Sequence, residues 1–278
     1  MNILVTGGNG QLGKALKKIL LKKDSQFVDI DDFDIIDAEK TLTNILKFNP
    51  EIIIHTAAYT DVDGCEKNPE LAFKVNELGT ENICVVAKKV DAKVIYISTD
   101  FVFDGKKGSP YLESDQSKPL STYGKSKLAG EKAVQSILNN YCIIRTSWLY
   151  GDGKNFVRTM LELAKTRDEV SVVCDQIGSP TSTSDLAEAI NQLIKNPKAN
   201  GIFHLTNAGR TNWADFAREI LKTAKIDCKV NDITSANWQK IKPESAPRPR
   251  NSVLKNTRAK KLGIVLSKWQ DGLKRYLK

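Results

Sequence analysis

Ile3-Leu-Val-Thr-Gly7-Gly-Asn-Gly10-Gln-Leu-Gly13 decides how the chain folds. An apolar run that reads as a buried strand leads straight into glycines at 7, 10 and 13. Leu12, Ala15, Leu16, Ile19 and Leu20 then recur at helical spacing. Strand, glycine turn and helix in that order make a cradle for a pyrophosphate. The glycines allow a tight turn and close backbone approach, and the first helical turn offers unpaired N–H groups. The spacing is G-x-x-G-x-x-G, one residue wider than the G-x-G-x-x-G fingerprint, and no Gly-Lys-Ser/Thr follows as it would in an ATP-hydrolysing loop.

The alternation continues outward from this unit. Phe27-Val28, residues 52–54, residues 94–97 and residues 142–144 read as short apolar strands. Residues 41–48, 70–90 and 121–138 read as the helices between them. Continuous apolar strands alternating with helices specify a parallel sheet covered on both faces. The expected fold is therefore α/β, a Rossmann-like doubly wound parallel sheet. Beyond about residue 146 the pattern loosens. Residues 156–164 and 213–223 read as helices and 202–205 as a short strand, and Pro243, Pro247 and Pro249 mark an irregular segment. Residues 1–145 are read as an NAD(P)-binding Rossmann domain, joined by later segments near 170–195, with Val170-Ser-Val-Val173 rejoining the sheet. Residues 146–278 are read mainly as a smaller C-terminal substrate-binding lobe.

Asp29 ends the second strand, where a carboxylate binds adenosine ribose hydroxyls. Asp31, Asp32, Asp34 and Asp37 cluster behind it, and the residues alone do not say which acid reaches the ribose. Lys22 and Lys23 are the nearest cations to a 2′-phosphate. Ala57 and Ala58, just past the third strand, are small enough for a cofactor to lie against their backbone.

Ser98-Thr-Asp100 follows the fourth strand at the carboxyl edge, where doubly wound sheets bind ligands. On the next helix Tyr123 and Lys127 are four residues apart and share a face. The grouping suits carbonyl reduction. Tyr123 donates a proton, Lys127 favours the phenolate and holds the nicotinamide ribose, and Thr99 hydrogen-bonds the developing oxyanion. His55 and His204 stand in apolar strands and read as core residues. No cluster has metal-ligand spacing.

The glycine loop and Tyr-x-x-x-Lys resemble the extended short-chain dehydrogenase/reductases. Further segments resemble the dTDP-4-dehydrorhamnose reductase family: Ala57-Ala-Tyr-Thr-Asp-Val-Asp63, Ser98-Thr-Asp-Phe-Val-Phe-Asp-Gly105 and Tyr123-Gly-Lys-Ser-Lys-Leu-Ala-Gly-Glu131. Arg145-Thr-Ser-Trp-Leu-Tyr-Gly151, Asp175-Gln-Ile-Gly-Ser-Pro-Thr181 and Pro247-Arg-Pro-Arg-Asn-Ser252 extend the match over nearly the whole chain. The resemblance implies reduction of the C4 keto group of dTDP-4-dehydro-L-rhamnose by NADPH or NADH.

It also implies residue roles. Gly7, Gly10, Gln11, Leu12 and Gly13 bind the cofactor pyrophosphate, Asp29 the adenosine ribose, and Asp34-Ile35 lie beside the adenine. Ala57, Ala58 and Tyr59 line the cofactor. Thr99 and Asp100 bind the sugar at C4 and Trp148 packs on the substrate. Apart from the resemblance, Arg248 and Arg250 are expected to face its diphosphate, because a guanidinium pairs with phosphate through two hydrogen bonds. Some family members bind Mg²⁺ at a subunit contact, and a monomer or homodimer is implied. Phe101 stands where the family more often has Tyr, and Gly64-Cys65 interrupts the usual polar run after Asp63. An epimerase or dehydratase of nucleotide sugars, which would keep its cofactor, is the alternative enzyme. A non-catalytic dinucleotide-binding subunit is the alternative outside enzymes, and the retained Thr99, Tyr123 and Lys127 argue against it.

Composition fits this reading. Of 278 residues, 41% are hydrophobic and 27% charged, as in a globular domain. No apolar run reaches the ~18 residues of a membrane span, and no basic leader precedes the first strand. Five scattered cysteines without C-x-x-C suit reduced thiols in a cytoplasm. The net charge of +9 is accounted for by residues 248–278, where ten Lys/Arg meet one Asp. Basic residues gathered beside a pocket suit a phosphorylated small molecule; spread over a surface they suit nucleic acid, and the confinement here counts against the latter. A solvated basic helix is the plain alternative.

Overall fold

A computed structural model describes residues 1–20 and 24–278. Lys22 and Lys23, the cations considered for a 2′-phosphate, lie outside the described residues. The opening unit forms as its sequence dictates: β1 (Ile3–Thr6), glycine turn, then α1 (Gln11–Leu20). β2 (Ser25–Val28) follows, and α2 (Ala38–Phe48) begins three residues earlier than the apolar spacing suggests. The reason is Asp37, whose Oδ1 accepts from Lys40 N at 3.0 Å and caps the helix. β3 (Ile52–His55) leads to α3 (Val62–Lys67), capped by Asp61.

The long helix expected over 70–90 is present in three joined parts. α4 (Pro69–Phe73) runs into a π-helical turn at Lys74–Leu78 and on into α5 (Gly79–Lys89). The wide turn carries Asn76, which is buried and hydrogen-bonds both N–H and carbonyl of Tyr59. A π turn inside an α-helix often marks a functional site.

β4 (Lys93–Thr99), α6 (Thr122–Ile137) and β5 (Tyr141–Thr146) complete the first half. Beyond them come β6 (Leu149–Tyr150), α7 (Phe156–Ala164), β7 (Glu169–Val173), β8 (Ile177–Gly178) and β9 (Thr181–Ser182). α8 (Thr183–Ile194), β10 (Gly201–His204), β11 (Thr211–Asn212), α9 (Trp213–Ala224) and β12 (Lys229–Ile233) follow. Three short helices, α10 (Ser235–Ile241), α11 (Thr257–Lys261) and α12 (Trp269–Tyr276), close the chain.

The main sheet has six parallel strands in the order β10-β5-β4-β3-β1-β2. This is the doubly wound sheet expected from the sequence. The chain leaves β1 toward β2 and returns to β3 on the other side, so strand order reverses between β1 and β3. Ligands bind at such a switch point, beyond the carboxyl ends of the strands. Alternate strand residues enter opposite cores. Ile3 and Val5 pack with α1 and α8, while Leu4, Ile53, Val94 and Ile143 pack with residues of α2, α5 and α6.

One expectation is corrected. Val170-Ser-Val-Val173 does not rejoin the sheet; β7 pairs in parallel with β12, and their apolar side chains meet α7 and α9 in a third core. The segment that does return lies later, where α8 packs on α1 and β10 extends the sheet beyond β5.

Candidate active site

The glycine turn packs under tight steric limits. Gly7 has φ +69°, and a Cβ there would stand 2.7 Å from Ala57 N. A Cβ on Gly13 would meet the carbonyl oxygen of Gly7 at 2.3 Å, so α1 sits against the loop only because that residue is glycine. Gly7, Gly10, Gln11 and Leu12 line a cleft of about 910 Å³. Gly13 is buried behind them and serves packing.

Asp29 extends from β2 into the same cleft. Its Oδ2 accepts from Asn9 N at 2.8 Å and its Oδ1 from Ile30 N at 2.9 Å, so the carboxylate braces the glycine loop. Asp32 in turn accepts from Asp29 N at 2.8 Å. Within the acidic cluster, Asp29 and Asp34 line the cleft, while Asp37 caps α2. Ile35, Ala57 and Ala58 also line it. Tyr59 does not. Its backbone is pinned to Asn76, and its side chain packs against the cluster of Cys65, Ala72 and Tyr123.

Ser121 caps α6, its Oγ accepting from Gly124 N at 3.1 Å. The helix thereby starts with Tyr123 and Lys127 on the cleft side, both nearly closed to water. Thr99 stands at the end of β4 and donates to Asp100 Oδ1 at 3.1 Å while accepting from Phe101 N at 3.2 Å. The Lys127 ammonium lies 4.1 Å from the ring centroid of Tyr96, a cation–π contact.

The electrostatics differ from the sequence-based expectation that Lys127 would lower the Tyr123 pKa. Burial pushes the Tyr123 phenol well above its usual range, against the pull of the Thr99 hydroxyl, and Asp100 adds to the rise. Burial also lowers Lys127 to about 7, although Glu131 pulls it back up. At Lys127 desolvation outweighs the neighbouring charge, and at Tyr123 the Asp100 charge acts in the same direction as burial. Asp100 is pushed up to about 7 by burial, against hydrogen bonds from Ser252 and Thr99. Its Oδ2 has no hydrogen-bond partner among the described residues.

Sequence reading missed the network behind these groups. Glu131 accepts from Ser98 Oγ at 2.5 Å and from Arg145 Nε and NH2 at 2.9 and 2.7 Å. The available signal was spacing: Tyr123, Lys127 and Glu131 continue one helical face at intervals of four.

Trp148 lines the cleft and stacks on Trp213, a residue that sequence reading left without a role. Arg248 also lines it, with its guanidinium held by Asp63 Oδ1 at 2.9 Å and by the Ala246 carbonyl oxygen at 3.0 Å. Arg250 is exposed and does not line the cleft; its carbonyl accepts from Ile177 N. His55 is a satisfied core residue, with Thr6 and Thr80 hydroxyls on its two ring nitrogens. His204 is buried too, its Nδ1 on the Tyr111 carbonyl oxygen. Among the described residues no group of three His, Cys, Asp or Glu gathers as a cation site within one chain would require. No helix among the described residues is long and apolar enough to cross a membrane.

Comparison with known proteins agrees with this geometry. The family model of the RmlD substrate binding domain matches residues 1–278. The spore coat polysaccharide biosynthesis protein SpsK of Bacillus subtilis is 37% identical, over 99% of this chain and 96% of its own. The dTDP-4-dehydrorhamnose reductase structure from Clostridium acetobutylicum is 42% identical with a TM-score of 0.94, covering 100% of this chain and 98% of that one. The dTDP-4-dehydrorhamnose reductase of Bacillus anthracis, solved in complex with NADP, is 39% identical with a TM-score of 0.95 and covers 99% of each chain.

Proposed function

The chain belongs to the RmlD substrate binding domain family, and we propose that it reduces the C4 keto group of dTDP-4-dehydro-L-rhamnose to give dTDP-L-rhamnose, using NADPH or NADH. The observation that carries the reading is the convergence of the glycine loop, Thr99, Tyr123 and Lys127 on one cleft at the switch point of the sheet. The glycine turn keeps its tight path because a Cβ at Gly7 or Gly13 would strike backbone atoms, and that path leaves the first N–H groups of α1 open to a pyrophosphate.

The nicotinamide supplies the hydride; the chain supplies position and the proton. Gly10, Gln11 and Leu12 hold the pyrophosphate on the open N–H groups of α1. Asp29 takes the adenosine ribose, with Asp34 and Ile35 beside the adenine and Ala57 and Ala58 along the cofactor. Lys127 holds the nicotinamide ribose. Thr99 and Asp100 bind the sugar at C4, and Tyr123 donates its proton to the oxygen that becomes the C4 hydroxyl. A phenol carries its proton at neutral pH with or without burial, so Tyr123 has a proton to give. Trp148 packs on the substrate and Arg248 meets its diphosphate, a pairing for which a guanidinium is suited. Residues 1–145 with α8 and β10 then form the cofactor half, and most of residues 146–278 the substrate half. Free thiols and a nucleotide-sugar substrate fit a cytoplasmic enzyme.

The test is oxidation of NADPH, and separately of NADH, by the purified protein with dTDP-4-dehydro-L-rhamnose. One cofactor oxidised per sugar reduced is expected. Normal cofactor binding without turnover of that sugar would overturn the assignment.

A further inference from the structure

Trp148 has a left-handed backbone with φ 49°. A bulky residue adopts that conformation only where its surroundings enforce it, at a cost on the order of 1–3 kcal/mol. Its place in the chain shows what does so. β5 ends at Thr146 in the six-stranded sheet, and β6 begins at Leu149 against β9. Residues 147 and 148 are the turn between the two. Ser147 Oγ donates to the Ser179 carbonyl at 2.7 Å, and Thr181 N donates to the Trp148 carbonyl at 3.2 Å.

The indole is held as firmly as the backbone. Its ring lies 3.5 Å from that of Trp213, with the planes 8° apart. Aromatic pairs are usually offset or edge-on with centroids roughly 4.5–7 Å apart, whereas these two rings overlap face to face at van der Waals distance. Gly178 backs the same indole: a Cβ there would stand 2.4 Å from Trp148 Cε2 and 2.6 Å from its Nε1. Gly178 and Trp213 are themselves tied. β8 pairs antiparallel with β11, Gly178 opposite Thr211 and Ile177 opposite Asn212, and Trp213 is the next residue. The Phe156 ring, 4.5 Å from Trp213, supports it from behind.

We propose that Trp213 and Gly178 are positioning residues for the nucleotide sugar, holding the Trp148 indole in its strained turn in the orientation the substrate packs against. The proposal rests on the reading of Trp148 as the substrate-packing ring. A ring fixed beforehand loses no rotamer freedom when substrate binds, which favours affinity without touching the chemical step. Trp213 also lines the cleft, whereas Gly178 does not, so Gly178 acts on the substrate only through Trp148.

The experiment is steady-state kinetics at saturating NADPH on Trp148→Ala, Gly178→Ala, Trp213→Ala and Trp213→Phe, and on Gly178→Ala and Trp213→Ala each combined with Trp148→Ala. Gly178→Ala and Trp213→Ala are each expected to raise the sugar KM about tenfold, a usual size of coupling between residues in contact. Turnover and NADPH KM should stay within about twofold, and Trp213→Phe should recover most of the affinity. On the Trp148→Ala background both effects should vanish. Effects that persist there overturn the proposal, as does a Gly178→Ala enzyme with unchanged KM. If Trp148→Ala raises KM and the other two variants do not, positioning fails while the substrate site stands. If Trp148→Ala leaves KM unchanged, both fall.

Discussion

Glu131 and Arg145 meet through two parallel hydrogen bonds, Nε to Oε1 at 2.9 Å and NH2 to Oε2 at 2.7 Å, with side-chain exposures of only 1% and 4%. The pair ties α6, which carries Tyr123 and Lys127, to β5 beneath it. Breaking such a pair from one side leaves the other charge buried and alone, which costs about 3–5 kcal/mol. Glu131→Ala is expected to lose stability on that scale in urea unfolding. Replacing both partners together, Glu131→Leu with Arg145→Met, should recover most of it. A loss below about 1 kcal/mol in the single variant would show that the pair contributes little.

Tyr123→Phe removes the hydroxyl proposed as proton donor and leaves the ring that packs edge-on to Phe101. Positioned acid catalysis contributes about 10²–10⁴-fold. Turnover should fall within that range while NADPH affinity stays nearly constant, measured by stopped-flow turnover and fluorescence titration. Unchanged turnover would remove Tyr123 from the mechanism.

Burial lowers Lys127 from its ordinary 10.5 to about 7 in the folded chain. Between those values the unfolded chain binds more protons than the folded one, so this residue makes stability rise with pH across that window. Below about 7 the full penalty of burying the charge is present. Lys127→Met should therefore gain stability over the parent most at about pH 6 and progressively less toward about pH 10. Paired denaturant melts across that range measure the difference. A gain independent of pH would show that Lys127 does not titrate as its burial dictates.

Asp29 both braces the glycine loop and faces the cleft. Hydrogen bonds to a charged group contribute about 1.5–3 kcal/mol, so Asp29→Ala should raise the NADH KM at least about tenfold. The effect on NADPH should be smaller, because a carboxylate also repels a 2′-phosphate. Sugar KM should not change. Equal losses for the two cofactors would assign Asp29 to the loop alone.

The six-stranded sheet was legible because β1, β3, β4 and β5 are each built on a short apolar run, and such runs mean burial on both faces; β2, at the sheet edge, offered only Phe27-Val28. Tyr123, Lys127 and Thr99 were legible because helical spacing and strand ends are local properties. The β7–β12 pairing was not. Glu169, Ser171, Lys229, Asn231 and Asp232 make those strands half-polar, and the partners lie some sixty residues apart. The direction of the Tyr123 and Lys127 shifts was hidden too, since desolvation depends on every element that closes over the helix. Tyr59 follows the cleft-lining alanines directly, and its backbone is held by Asn76, a residue seventeen positions on that local sequence does not point to.

The return of α8 and β10 to the cofactor sheet has a consequence for how the chain is made. The first 146 residues leave the ribosome with β5 as a bare edge and with Leu12 and Leu16 lacking the cover of Leu186 and Ile190. That cover arrives only when residue 204 emerges, roughly 3–12 seconds later at ordinary elongation rates of about 5–20 residues per second. Nascent chains stalled within that interval are expected to bind chaperones, and those stalled well beyond it to resist protease.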